Sequence, residues 1–401
     1  MKSSRPALIS LTRQAKIPDP LRLERYRRAP ELGPKILFFS GGSALKGLSM
    51  ELPTYTHNSI HLITPFDSGG SSAKLRKAFD MLSVGDVRNR LIALADKSVT
   101  GHPAIVDLFN KRFPHDISNN ALRDRLDLLI AGDDPLTAAI PDPMRNIIRN
   151  HLRYFRDAMP DDFDLTGASI GNMVLVGGYQ NNDSHIDAVI FIFSKLAGVR
   201  GIVRPIVSAD LHLAVKLADG TELLGQHLLT GNEISPITSP VEFIELSASL
   251  DRFEPVEVEL RSKVKVLIDE AELICYPMGS FFSSLIANLL PLGVGKAIAA
   301  NPAPKIYIPN PAGDPEQHGL AIDKEIEWIL QIASKNIKDV NTKDLMDFVL
   351  LDESDEIYGR PININKIKAM GVEVVRTRLT APGQNRYFDG QLLSQALVSM
   401  V

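Results

Sequence analysis

The stretch that decides the fold runs from Asp67 to Asp96 and reads DSGGSSAKLRKAFDMLSVGDVRNRLIALAD. An apolar run, Ile60-His61-Leu62-Ile63-Thr64, leads into it as a predicted strand that ends at Asp67. Gly69, Gly70, Ser71 and Ser72 then open a helix that continues through Leu75, Arg76, Lys77, Ala78 and Phe79. Residues this small let backbone N–H groups converge on an anion at a helix N-terminus, where the helix dipole also favours negative charge. A second polar cluster, Gly85-Asp86-Val87-Arg88-Asn89, precedes another helix running through Ala93, Leu94 and Ala95. Two such clusters at successive helix starts predict a single phosphate-bearing ligand.

The same strand, turn and helix order recurs on both sides. Residues 35–39 form a predicted strand entering Ser40-Gly41-Gly42-Ser43, and residues 273–275 precede Gly279-Ser280-Phe281-Phe282-Ser283-Ser284. Further strands are expected at 264–268, 305–308 and 372–375, and a hairpin joins 211–217 to 221–224 around Asp219-Gly220. Helical spacing at 104–109 and 122–130, followed by the basic run 145–153, predicts a helical excursion over about residues 100–165. Asn172 opens a further helix. This alternation predicts an α/β fold, a Rossmann-like three-layer α/β/α sandwich with a largely parallel sheet. Ligands in such sheets lie beyond the strand C-termini, where these glycine turns fall.

Composition narrows the setting. The 401 residues carry a formal net charge of −4, so nothing global favours nucleic acid or an anionic membrane. Cys275 is the sole cysteine, which excludes an intrachain disulfide and a multi-cysteine metal site; its apolar surroundings predict core packing. The nine histidines show no paired metal-ligand spacing, which argues against structural zinc. Residues 1–34 form a basic arm rich in arginine and proline without the apolar centre of a signal peptide, and a cytoplasmic protein is expected. Residues 273–295 lack charge, but Pro277, Gly279, Asn288 and Pro291 interrupt them, so a strand, a glycine turn and a buried helix are expected rather than a membrane span.

The candidate site residues each have a chemical rationale. A carboxylate beside a phosphate-binding turn suits a divalent cation bridging it to the phosphates, which points to Asp67 as a metal or ligand contact; capping the helix is its other role. Arg88 presents a planar fork to phosphate or carboxylate, or else pairs internally with Asp86. Asn89 and Asn172 read a base, ribose or phosphate, or satisfy loop backbone. Gly279-Ser280 lacks the flanks of a hydrolase nucleophile elbow, so Ser280 reads as a phosphate donor. The first loop lacks the lysine-serine ending of a Walker motif.

In this order the motifs resemble those of the CofD/YvcK family over most of the chain, from about Lys35 to the C-terminus. The family's DDGGSSGRLR and PGDIRN are similar to the runs at 67–76 and 85–89, and its first glycine loop resembles Ser40 to Leu48. Its GHSxGNLLL is matched at Gly167, Ser169, Gly171 and Asn172, with Ala168 where His is usual. Its GPGSLYTSxxPNLL resembles 279–284 and 288–290, and its NxxxxxGET is loosely similar to Asn310, Gly313 and Glu316. Within the family the chain looks most like the CofD-like member of the GAK system. The resemblance implies one CofD-like α/β domain over 35–401. It also implies a transferase similar to 2-phospho-L-lactate transferase, which moves a phospho-linked group from a GDP-type donor to a deazaflavin hydroxyl with Mg²⁺ in making coenzyme F420. The alternative it implies is a non-catalytic UDP-sugar-binding regulator of the YvcK type. Catalytic roles then fall to Asp67 and Asp86, with Asp67 as metal ligand. Nucleotide and phosphate binding falls to Gly41, Gly42, Ser43, Gly69, Gly70, Ser71, Ser72, Arg88, Asn89, Asn172, Gly279, Ser280 and Ser284. Ser68 stands where the family usually has a second Asp, which removes one metal ligand or base. A homo-oligomer stays open on this reading.

Overall fold

The run Ile36–Ser40 (β1) has no polar face, and a strand apolar on both sides must be covered on both. The computed structural model, which describes residues 14–96, 98, 101–231, 235–311, 313–383 and 386–401, puts it near the middle of a sheet. On one side of it lie β2 (Ile60–Ile63), which pairs with β1, and β3 (Ile202–Pro205), which pairs with β2. The antiparallel strands β4 (His212–Leu217), β5 (Glu222–Leu224) and β6 (Val241–Ser247) intervene in the chain. Then β7 (Leu273–Tyr276), β8 (Lys305–Tyr307), β9 (Phe348–Leu351) and β10 (Glu373–Arg376) complete the main sheet. Its order is β10-β9-β8-β7-β1-β2-β3, and every neighbouring pair is parallel. Leu37 and Phe39 pack with Leu62, Ile274 and Tyr307 on one face, while Ile36 and Phe38 pack with Leu273, Cys275 and Ile306 on the other. The expected helix-flanked parallel sheet is the observed fold.

The chain leaves β1 through β2 to β3, then returns to the opposite side of β1 at β7. Connections after β7 and β1 therefore diverge in opposite directions, and a crevice opens between them at the strand C-termini. The hairpin of β4 and β5 forms as expected and belongs to a separate three-stranded sheet, β5-β4-β6.

Between β2 and β3, the helices Pro103–Asn110, Asn119–Ala131, Met144–Ala158 and Ile170–Asn181 build a second core. In Met144–Ala158 the buried Ile148, His151, Leu152 and Phe155 recur at helical spacing, while Arg153 and Arg156 face solvent. Residues 264–268 correct the expectation of a strand: they lie in the helix Ser262–Asp269. Val264 and Ile268, four apart, are buried, whereas Val266 between them is half exposed, so the period is helical and the apparent alternation misleads. The cluster at 85–89 does not precede its helix but forms the opening turns of Gly85–Ala93. After β7 a turn leads into the tightly buried helical stretch Phe281–Ile286 and Ala287–Leu289, and no described helix is long and apolar enough to cross a membrane. The helix Pro20–Arg28 docks on the C-terminal helix, with Arg22 Nη1 donating to the Ser399 carbonyl at 3.1 Å; the first thirteen residues of the basic arm lie outside the described residues.

Candidate functional site

Because β7, β1 and β2 are adjacent, the glycine turns that follow them meet over the crevice. They wall a cavity of about 820 Å³ together with the segment after β8. Gly41, Gly42, Ser43, Asp67, Gly69, Gly70, Ser71, Ser72, Asp86, Arg88, Asn89, Asn172, Gly279, Ser280 and Ser284 all line it. Five separate motifs of the sequence are thereby brought to one place.

The first turn is held from below. Arg90, buried in the helix Gly85–Ala93, donates through Nη2 to the carbonyls of Gly41 at 3.0 Å and Gly42 at 3.4 Å, and through Nη1 to Ser49 Oγ. Burial lowers its pKa to about 10, which leaves it charged at neutral pH. On the other side, the Gly42 N–H donates to Asp86 Oδ2 at 3.0 Å. A Cβ on Gly41 would stand 2.4 Å from Ser284 Oγ, so only glycine lets the first and third turns approach this closely. A Cβ on Gly42 would meet nothing within 4 Å.

The second turn follows β2. Asp67 Oδ1 accepts from the Gly69 N–H at 3.1 Å, and Gly70 enters the helix Gly70–Phe79 with φ +45°, in the left-handed region. No side chain caps this helix, and none caps Gly85–Ala93. The orphan N–H groups and positive dipole ends of two helices thus meet at one cavity. Arg76 fixes the exit from β2, with Nη1 donating to the carbonyls of Phe66 and Asp67 at 3.1 Å each and Nε donating to Asp210 Oδ1 at 2.7 Å. Ser68 is turned toward the hairpin sheet, where its Oγ lies 2.8 Å from His227 Nδ1.

Asp67 and Asp86 are the two carboxylates at the convergence. Each spends one oxygen on a glycine N–H; Asp67 Oδ2 and Asp86 Oδ1 have no hydrogen-bond partner among the described residues. Burial, and then the charge of Asp67, push the Asp86 carboxyl up to about 6 against the pull of the Gly42 N–H, Arg90 and Arg88. No group of three or more His, Cys, Asp or Glu among the described residues could hold a metal ion. One or two carboxylates suit Mg²⁺ when phosphate oxygens and water supply the remaining ligands, so the donor set fits a cation arriving with a phosphate and does not form an all-protein cage.

Arg88 does not pair with Asp86 among the described residues. Its Nη1 donates to Ser169 Oγ and its Nη2 to Asn89 Oδ1 at 2.6 Å. Burial and then the neighbouring charge of Arg112 lower its pKa to about 10. Both guanidinium groups line the cavity, and neither has a carboxylate partner among the described residues. Asn172 Oδ1 and Gln226 Oε1 are buried on the wall with no hydrogen-bond partner among the described residues, an unfavourable state that a bound ligand or water relieves.

The third turn is different. Asp314 Oδ2 accepts from the Phe281 N–H at 2.6 Å, and Glu316 Oε2 accepts from the N–H groups of Phe282 at 2.9 Å and Ser283 at 2.8 Å. These amides are occupied by the protein's own carboxylates, so the turn offers the cavity mainly the Gly279 backbone and the Ser280 and Ser284 hydroxyls. Burial, and then the charge of Asp314, push Glu316 up to about 8. Sequence reading missed Arg90, Arg112, Gln226, His227, Thr230, Asp314, Arg386 and Tyr387. Arg90 had a signal, since it lies two residues beyond Arg88 in the same cluster. The others come from distant segments.

Residues 36–380 match the family described as 2-phospho-L-lactate transferase CofD. The chain is 30% identical to a gluconeogenesis factor of Listeria innocua over 354 residues, 86% of this chain and 88% of that one. It is 28% identical to the gluconeogenesis factor of Bacillus subtilis, over 86% of this chain and 91% of that one. A putative gluconeogenesis factor of Nostoc is 30% identical over 74% of this chain, which spans about half of it, 52%. A crystal structure of a UPF0052-family protein from Bacillus halodurans superposes with a TM-score of 0.66 at 22% identity, covering 90% of this chain and 99% of that one, which supports the fold. With the family's match running through the glycine turns and both carboxylates, the chain belongs to the CofD family.

Proposed function

We propose that the cavity binds a nucleoside diphosphate-linked donor, of GDP or UDP type, and that the protein transfers the donor's phospho-linked group to the hydroxyl of a second molecule in the cytoplasm. The observation that carries this is the convergence of two uncapped helix N-termini and a glycine turn around two carboxylates, each with an open oxygen. The backbone N–H groups of Gly70, Ser71 and Ser72 and those at the start of Gly85–Ala93 would receive the diphosphate. Asp67 Oδ2 would hold Mg²⁺, which when bound neutralises charge on the leaving nucleotide, and the open Oδ1 of Asp86 stays available to the acceptor. Arg88 and Arg112 orient the anionic groups, and the buried oxygens of Asn172 and Gln226 accept from donors on the ligand. Asp86, a carboxylate with a raised pKa, suits acceptance of the proton from the attacking hydroxyl. By resemblance the acceptor is of deazaflavin type.

A second reading, a nucleotide-sugar-binding regulator, is favoured by the names of the relatives, several of which are called gluconeogenesis factors. It is also favoured by Ser68, whose hydroxyl pairs with His227 where the family's usual second Asp would stand. Incubation with GDP- and UDP-linked donors, a deazaflavin and Mg²⁺, followed by mass analysis of products, separates the two. Transfer predicts released nucleotide and a product lost in Asp67→Asn, with metal-free nucleotide affinity nearly kept. Intact binding without product from any donor rejects the transferase in favour of the regulator.

A further inference from the structure

A second cavity, of about 620 Å³, shares no lining residue with the first. It lies where β6 meets the ends of the helices Ala287–Leu289 and Ile322–Ser334. Leu246, Leu289, Leu290, Leu292 and Ile332 give it an apolar lining, and its volume suits a small molecule. Part of the wall is fixed by backbone: a Cβ on Gly295 would stand 1.8 Å from the Ala333 carbonyl oxygen, so the helices Val294–Ala300 and Ile322–Ser334 already touch there.

Four charged side chains, Glu245, Glu257, Lys296 and Lys335, complete the lining. Two of them cancel, because Lys335 Nζ lies 3.2 Å from Glu245 Oε1. Glu257 and Lys296 are exposed and have no ion-pair partner among the described residues. A ligand with a single charge would satisfy one of them and leave the other, whereas a zwitterion on an apolar body satisfies both.

The same cavity is tied to the first by specific contacts. Leu289 and Leu290 continue the helical stretch that opens at the third glycine turn, and Ser284 and Leu285 of that stretch line the larger cavity. Within it the Leu285 N–H donates to the Ser280 carbonyl, five residues back, at 3.1 Å, a wide π-type turn of the kind that concentrates at functional sites. Asn288, buried beside Leu289, donates through Nδ2 to the carbonyls of Ser40 at 3.0 Å and Ser284 at 2.9 Å. Ser40 leads into the first turn, and Ser284 is the side chain against which Gly41 packs. A displacement of Leu289 is therefore carried through one hydrogen-bonded side chain to two walls of the larger cavity.

We propose that this second cavity is an effector site for an apolar zwitterion of amino-acid type, held between Glu257 and Lys296, whose occupancy resets the first and third glycine turns through Asn288. A bound effector alters the other site only as far as it favours one arrangement of those turns over another.

The probe is L-phenylalanine, titrated by NMR into the full chain, with hydrocinnamate and phenethylamine as the matching compounds that lack its ammonium and its carboxylate. Phenylalanine should bind saturably at one site, at least fivefold tighter than either. Glu257→Gln and Lys296→Gln, both at exposed side chains where the fold is not at risk, should each weaken it at least fivefold. Binding should also move the amide signals of Gly41 and Ser284, and Asn288→Ser should keep phenylalanine binding while reducing that response. Where GDP or UDP binds, phenylalanine should change its affinity at least threefold, and the nucleotide should change the affinity for phenylalanine by the same factor. The amide response needs no nucleotide, so a chain that binds phenylalanine in this way and neither GDP nor UDP keeps the effector site and refutes the nucleotide cavity. No saturable binding, equal binding of the single-charge compounds, undiminished binding in either Gln variant, amides of the first and third turns that do not respond, or an unchanged affinity for a nucleotide that binds, overturns the proposal.

Discussion

Replacing Asp86 by Asn should stabilise the ligand-free protein while removing its function. Asp86 keeps its proton to about pH 6 in the folded chain, against an ordinary value of 3.8, mainly because burial disfavours the charge and because Asp67 stands nearby. A shift of this size corresponds to about 3 kcal/mol, which solvent in the cavity reduces to about 1–2 kcal/mol. The sign follows from proton binding. The folded state holds the proton more tightly than the unfolded chain, so stability is lost as the pH rises from about 4 to about 6 and the loss is complete above that. Asparagine carries no charge at any pH and retains an oxygen to accept from the Gly42 N–H. The variant should therefore be more stable than the natural chain by about 1–2 kcal/mol at pH 8, with the gain vanishing below about pH 4. Denaturant titrations of both proteins between pH 4 and 8 measure this directly. A variant less stable at pH 8, or a gain that does not change with pH, would refute the account of Asp86 as a strained carboxylate kept for ligand or metal.

Three further outcomes follow from the same geometry. Gly41→Ala should cut nucleotide affinity at least tenfold with the fold intact, because its Cβ would force the first turn away from Ser284; unchanged affinity in calorimetry would show that the close approach of the turns is incidental. Arg90→Met removes a charged donor from the Gly41 and Gly42 carbonyls, and should cost about 2 kcal/mol of stability and loosen binding although Arg90 does not line the cavity; a variant with natural affinity would separate the clamp from the site. Without metal, diphosphate affinity should rise as the pH falls through about 6 and Asp86 becomes neutral, and should fall over the same range when Mg²⁺ is present; Asp86→Asn should remove the Asp86 part of both trends.

The parallel sheet was legible because its central strands β1, β2 and β7 are buried on both faces and lead into glycine turns, a pattern that local sequence carries. Three turns after strands implied one cleft only if those strands were neighbours, and the order β7-β1-β2 supplied that condition. Residues 264–268 misled because Val264, Val266 and Ile268 alternate over too short a run to separate a period of two from one of 3.6. The carboxylates that cap the third turn were hidden for another reason: Glu316 reaches Phe282 and Ser283 across more than thirty residues, and no local spacing announces the contact. Likewise Ser68 and His227 meet across 159 positions. Arg90 lies in the Asp67–Asp96 stretch, but the Gly41 and Gly42 carbonyls that it clamps are 49 and 48 positions away, and no local spacing announces them.

The central claim, that the cavity is a nucleoside diphosphate site, is tested most directly by calorimetric titration of GDP and UDP into the natural chain and into Gly70→Leu, with and without Mg²⁺. Gly70 opens the helix at φ +45°, a conformation that leucine adopts only with strain, so the substitution disturbs the second turn while leaving the sheet alone. The account predicts saturable binding of at least one nucleotide, strengthened by Mg²⁺ and weakened at least tenfold in Gly70→Leu. No binding of either nucleotide under any of these conditions, or equal binding by the variant, would contradict it.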